Sequence, residues 1–388
     1  MSQAVLDGVR DLLPGIRERA DEAERLRVVP EASIKELEEV GFFRLLQPRR
    51  FDGLEADPVD FYTAVRELAG ACASTGWVSS VVGVHPWQVA LFPDEAQQAV
   101  WGEDTTTRLS SSYAPTGKAQ LADGGYRLSG RWSFSSGCDH CTWVLLGGLV
   151  FDEAGNVVDF KTFLVPRESY TILDVWHTVG LAGTGSNDIV VDDVFVPDAF
   201  TLSMGDTGRC FGPGQAQNTA DLYKLPFHSI FTGTITTPII GMARGAYAAH
   251  VDLQRKRVRA AYLGEQASLD PFAAVRIARA SSDIDAAWAL LVANIREEQA
   301  HVARGERIPL ELRLRVRRDQ VLGTQRAIDA IDSLFEASGG RALTTGTYLQ
   351  RAWRDAHAGR VHAANDVERA LQMYGAHEFG HKIDPGMY

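Results

Sequence analysis

The chain has 388 residues, 45% of them hydrophobic and 23% charged, enough to bury a large core and too apolar for a disordered or fibrous protein. A formal net charge of −11 argues against a nucleic-acid partner, because clustered Lys and Arg that release counterions drive binding to a phosphate backbone. Four cysteines (Cys72, Cys138, Cys141, Cys210) and an N-terminus without a basic start and apolar run predict free thiols in the cytoplasm. No stretch nears the ~20 apolar residues of a membrane span.

From Met1 to about Gly102 apolar residues recur at three- and four-residue steps, which predicts a helical domain over 1–105. Asp57 followed by Pro58, with Phe61, Val65 and Leu68 behind, predicts a helix opening at Pro58. Between Arg108 and Pro197 the period becomes two: Tyr126, Leu128, Gly130, Trp132 and Phe134 alternate with polar or small residues. The apolar runs 143–150 and 188–196 read as further strands, and Gly124-Gly125 and 152–156 as hairpin turns. A middle domain of antiparallel strands over 106–212 follows, closed by a Gly- and Pro-containing linker at 205–214. Beyond it, Ile277, Ile284, Trp288, Leu291 and Ile295 share one helical face. Residues 310–336 read as a second long helix and 349–374 as a third, so 213–388 reads as a four-helix-like bundle. The fold class is therefore α+β.

Three clusters carry candidate chemistry. Residues 109–119 hold Ser110, Ser111, Ser112 and Tyr113, whose hydroxyls either cap a turn or meet a ligand. In Trp132-Ser133-Phe134-Ser135-Ser136-Gly137 an aromatic strand ends in Ser-Ser-Gly. That segment is either aromatic core plus a turn, or a place where glycine admits a flat ligand and Ser136 bonds to it. Residues 176–188 combine Gly180, Gly183 and Gly185 with Thr184 and Ser186, by themselves no more than a tight connection. The basic run 255–259 is a solvated helix face or, through Arg257 and Arg259, a phosphate subsite. Cys138 and Cys141 have no second pair at zinc-finger spacing, so no metal is expected. No Gly-x-Gly-x-x-Gly follows a strand, so no nicotinamide site is expected either.

Trp176-x-x-x-Gly180-Leu181-x-Gly183-Thr184-Gly185-Ser186, followed by an acidic-apolar strand and Val196-Pro197, resembles the β-domain signature of the acyl-CoA dehydrogenase superfamily. Ser135-Ser136-Gly137-Cys138-Asp139-His140 resembles more narrowly its group D flavin monooxygenases: the oxygenase components of p-hydroxyphenylacetate hydroxylase, the secosteroid phenol hydroxylase, and pigment and indole hydroxylases. The likeness extends from Val40–Pro48 through Ser74-Thr75-Gly76-Trp77-Val78 to Arg360–Asp366. It implies an acyl-CoA dehydrogenase fold, a homotetramer, and hydroxylation of a small aromatic substrate by reduced flavin (FADH2 or FMNH2) and O2 through a flavin C4a-hydroperoxide. A separate NAD(P)H:flavin reductase would supply the flavin. Carried over by residue, His85, Ser136 and His362 are catalytic, and His85, Ser111, Ser112 and His362 meet the substrate. Ser111, Ser112, Tyr113, Trp132, Ser135, Ser136, Gly137, Arg257 and Arg259 hold the flavin. A neutral His85 or His362 would serve as general base toward a phenol or indole.

Two positions depart from the family pattern. Ala182 stands where many relatives have Arg, and Gln372-Met373-Tyr374-Gly375 lacks the glutamate base of the dehydrogenases, although Glu378 is near. An acyl-CoA dehydrogenase and an N- or S-oxygenating relative are the alternative readings.

Overall fold

The computed structural model of the chain describes residues 2–259 and 263–383. Six helices come first: α1 (Ser2–Glu18), α2 (Ala20–Leu26), α3 (Glu31–Glu39), α4 (Pro58–Ala71), α5 (Ala73–Val89) and α6 (Asp94–Trp101). α4 opens where expected: the Asp57 carboxylate accepts from Val59 N at 2.9 Å, and Pro58 occupies the first turn, where its missing N–H costs nothing. α5 is buried along its whole length. Polar residues on such a core helix are there to be bonded by protein or by a ligand.

Seven strands follow: β1 (Leu109–Ala122), β2 (Gly125–Ser135), β3 (Trp143–Phe151), β4 (Val157–Pro166), β5 (Thr171–Leu173), β6 (Asn187–Pro197) and β7 (Thr201–Ser203). They form one sheet in the order β5-β6-β2-β1-β3-β4-β7. Its pairings are antiparallel apart from β1 with β3. That pair is parallel because β2 reverses the chain along one edge of β1 and the 136–142 connection reverses it again onto the other edge. The serine-rich run at 109–119 lies within β1, so it is strand and not the loop its composition suggested. Leu128, Trp132, Val144, Leu146, Phe163 and Ile189 form a buried core of the sheet.

The C-terminal region holds α7 (Met204–Gly208), α8 (Phe227–Lys256), the hairpin β8 (Val258–Arg259) with β9 (Glu265–Gln266), α9 (Pro271–Ala303), α10 (Leu310–Ser338), α11 (Tyr348–Arg360) and α12 (Val367–Glu378). Two expectations need correction. The 205–214 linker is partly helical, since Ser203 caps α7. The third long helix is two, broken at 361–366, where His362 accepts from Ala364 N and Asp366 from Arg369 N, bonds that compete with helix continuation. α11 docks on the glycine-rich connection: Asp355 Oδ1 accepts from Leu181 N at 2.6 Å, and a Cβ on Gly180 would lie 2.2 Å from Arg354 O. Gly180→Ala should therefore push α11 away from the loop and lower the thermal midpoint by several degrees, at about 1–3 kcal/mol for such overpacking; calorimetry on wild type and variant measures it.

Candidate active site

Ser136 follows β2 directly. Gly137 takes φ +73°, and a Cβ there would meet Val78 Cγ1 of α5 at 2.8 Å, so only glycine lets this turn sit against the helix. Thr184 Oγ1 lies 2.8 Å from Leu181 O, Ser186 Oγ 2.6 Å from Thr184 Oγ1, and Ser136 Oγ 2.7 Å from Ser186 Oγ. A carbonyl only accepts, so Thr184 donates to Leu181, Ser186 to Thr184 and Ser136 to Ser186. Trp77 Nε1 donates to Ser136 Oγ at 3.3 Å. Ser136 thus has its proton committed and keeps one lone pair.

An aromatic series leads onward from Trp77. Its ring lies 6.0 Å from that of His362, which is 6.4 Å from Phe231. Phe231 lies 5.1 Å from Tyr113, and Tyr113 6.3 Å from His85. Phe227 stacks on Phe231 at 5.5 Å, and the Tyr113 hydroxyl donates to Gln88 Oε1. The fold therefore links Ser136, His362, Tyr113 and His85 through one aromatic wall drawn from α5, β1, α8 and the α11–α12 break.

The two histidines differ in their bonding. His85 is fully buried, and neither ring nitrogen has a partner among the described residues; burial alone lowers its pKa to about 3. His362 is not on a helix but caps a one-turn 3-10 helix, Ala363–Asn365. Its Nδ1 accepts from Ala364 N at 3.1 Å, so the neutral ring carries its proton on Nε2. Burial, and then the nearby Arg317 cation, lower its pKa to about 4.

Other expected site residues are placed differently. Trp132 is fully buried, with Nε1 donating to Gly147 O at 2.7 Å, and Ser135 Oγ donates to Ser110 Oγ at 3.1 Å; both side chains turn into the core. Ser112 is buried and donates to Ser133 O at 2.8 Å, while Ser111 is half-buried. Arg257 lies beyond the end of α8 and donates to the α10 carbonyls of Ala337 and Ser338, and Arg259 pairs with Asp270 at 2.7 Å. With Phe272, Arg276 and Arg341 they line a cavity of about 550 Å³ that no residue of the large sheet reaches. Glu378 is exposed at the end of α12. Trp77, Phe227 and Phe231 were not singled out from sequence. Their signal was weak: Trp77 stands at i−8 from His85 on one face of α5.

Residues 2–107 match the acyl-CoA dehydrogenase N-terminal domain family and residues 234–367 the acyl-CoA dehydrogenase C-terminal domain family. The chain is 60% identical to the flavin-dependent monooxygenase, oxygenase subunit HsaA, of Rhodococcus jostii (strain RHA1), over 97% of this chain and 98% of that protein. This chain belongs to the flavin-dependent monooxygenases of the acyl-CoA dehydrogenase family. It is also 36% identical to the FADH(2)-dependent resorcinol hydroxylase, oxygenase component, of Rhizobium sp. (strain MTP-10005), over 96% and 92% of the two chains. Among solved structures, the crystal structure of 3-HSA hydroxylase from Rhodococcus sp. RHA1 superimposes with a TM-score of 0.96 at 58% identity, covering 99% of each chain. The expected fold class holds, and the enzyme is a monooxygenase and not a dehydrogenase. No helix among the described residues is long and apolar enough to cross a membrane.

Because the folded pKa of His85 lies below its unfolded value of about 6.5, the unfolded chain takes up the extra proton as pH falls from there toward about 3, and the folded state loses stability over that window. His85→Leu removes this titration, so the thermal midpoint of the variant should gain on wild type progressively below pH ~6.5; a gap that does not change with pH contradicts it.

Proposed function

We propose that this monooxygenase is the oxygenase component of a two-component system, taking reduced flavin from a separate NAD(P)H:flavin reductase and hydroxylating a small phenolic substrate. The relatives' names as oxygenase subunit or component support the reductase. The observation that carries the site assignment is the link from Ser136 through Trp77 to His362 and on through Tyr113 to His85. In this reading 1–105 and 213–388 are helical domains flanking a β-domain at 106–212, the subunits form a homotetramer, and the enzyme works in the cytoplasm.

The residues fit a flavin. Ser136 has a free lone pair and its proton held by Ser186, which suits it to accept from a ring N–H of the reduced flavin. Gly137 lets a flat ring approach, and Phe134, 69% exposed and edge-on to Trp176 at 6.0 Å, offers an apolar face. Arg257, Arg259, Arg276 and Arg341 outnumber Asp270 and Glu336 around the bundle cavity, a charge balance that suits the flavin phosphate. A flavin shared between that cavity and Ser136 would use residues of two subunits. Both FADH2 and FMNH2 meet these requirements, and the resorcinol hydroxylase favours FADH2. When bound, reduced flavin supplies the electrons that activate O2.

On the substrate side, His362 presents Nε2–H, a donor to the phenolic oxygen, whereas His85 keeps a lone pair at neutral pH that can accept a hydrogen bond from the phenol O–H. Ser111, half-buried, and Ser112 lie on the strand that carries Tyr113, and the substrate would pack along that strand. Trp77, Tyr113, Phe227 and Phe231 exclude water.

The test mixes protein loaded with reduced FMN or FAD with O2 and a phenol, and measures hydroxylated product and hydrogen peroxide. His85→Ala and His362→Ala should each cut hydroxylation by about 10²-fold or more, and Ser136→Ala should divert reduced flavin to peroxide. Wild-type product yields in all three would overturn the site assignment.

A further inference from the structure

His362 caps the three-residue turn Ala363–Asn365 between α11 and α12, and such a short turn has few bonds of its own to fix a side chain. Its backbone contributes His362 N to Gly359 O at 3.3 Å and Asn365 N to His362 O at 2.8 Å. Asp366 N adds a bond to Ala363 O at 3.3 Å, and a buried polar network braces the turn from outside. Arg317 Nη1 donates to Ala364 O at 2.5 Å and to Gln320 Oε1. Gln320 Nε2 donates to Asn365 Oδ1 at 2.9 Å and to Thr236 Oγ1. Thr324 Oγ1 lies 3.3 Å from the same Asn365 oxygen, and Asn365 Nδ2 donates to Gly359 O at 2.8 Å, across the end of α11. Thr236, Arg317, Gln320, Thr324 and Asn365 are each at most 5% exposed.

The direction of these bonds is fixed. A guanidinium only donates, so Gln320 must turn its oxygen to Arg317 and its amide to Asn365; Asn365 must then turn its oxygen to Gln320 and its amide to Gly359. Flipping either carboxamide would set donor against donor in a buried site, which costs the desolvation of both groups. Three of these bonds, at Ala364 O, Asn365 Oδ1 and Asn365 Nδ2, end on the residues that follow His362, and Ala364 is the residue whose N–H holds His362 Nδ1.

We infer that Asn365, held by Gln320 and Arg317, is a positioning residue that keeps the Ala364 N–H on His362 Nδ1 and so presents His362 Nε2–H to the substrate oxygen. This rests on the reading of His362 as the donor to a phenol. Without the brace the turn relaxes, the imidazole loses its fixed tautomer, and a phenolate in the site loses its hydrogen bond.

The experiment uses the full-length, flavin-free enzyme with p-nitrophenol as probe, reading the fraction of bound probe in its yellow ionised form, and repeats the hydroxylation assay with reduced flavin. The variants are His362→Ala, Asn365→Ala and the double variant. The inference expects His362→Ala to abolish the excess ionisation, Asn365→Ala to reduce it several-fold, and the double variant to fall no lower than His362→Ala, because Asn365 acts only through His362. Wild-type ionisation in Asn365→Ala, or losses that multiply in the double variant, overturn it. Wild-type ionisation in His362→Ala overturns the donor reading itself, without reference to Asn365. If Asn365→Ala does not fold, Thr324→Val, which removes one donor to Asn365 Oδ1, is judged by the same outcomes.

Discussion

The hydrogen bond from Leu181 N to Asp355 is the contact on which both halves of the site depend. It joins α11 to the glycine-rich connection at 2.6 Å, and the absent Cβ of Gly180 lets the two backbones close. From Leu181 the hydroxyls of Thr184 and Ser186 run to Ser136. From Asp355, less than two turns of helix lead to the end of α11 and His362. Ser136 and His362 are thus both held from one helix. Burial raises the Asp355 pKa to about 7 against the opposing pull of the Leu181 N–H, so this junction is more weakly charged than a surface carboxylate at neutral pH.

The second organising force is desolvation. Trp77, Tyr113, Phe227 and Phe231 surround groups that would be hydrated elsewhere, and burial keeps both histidines neutral. Neutrality gives each ring one donor and one acceptor, and the surroundings decide which is used. At His362 the acceptor is taken by Ala364, and at His85 neither nitrogen is taken. Two residues of one type thereby differ in their bonding, a difference that no spacing in the sequence expresses.

Much of the architecture was legible because it rests on local chemistry. The cap and proline at Asp57-Pro58, the alternation from Tyr126 to Trp132 and the apolar stripe of α9 depend on near neighbours in the chain, and they appear as expected; the alternation breaks at Phe134, which takes φ +68° and is exposed. Ser136 was named through family resemblance, and the fold puts it one hydrogen bond from Trp77, whose ring lies beside His362. The break at 361–366 was not legible, because its stabilising partners, Arg317 and Gln320, stand about 45 residues away in sequence. At Trp132 and Ser135 alternation says that the strand has two faces but not which one packs inward; both side chains turn into the core. Arg257 and Arg259 look like a solvated basic run until the end of α8 turns them onto the bundle cavity.

The most direct test of the account is to follow isotopic oxygen. Protein loaded with reduced flavin and a phenol is exposed to ¹⁸O₂, and the product is analysed by mass spectrometry. The account predicts one ¹⁸O atom in each hydroxylated product, in a yield that falls with Ser136→Ala. Oxidised flavin and labelled peroxide with unlabelled, unreacted phenol across a panel of phenols would contradict it.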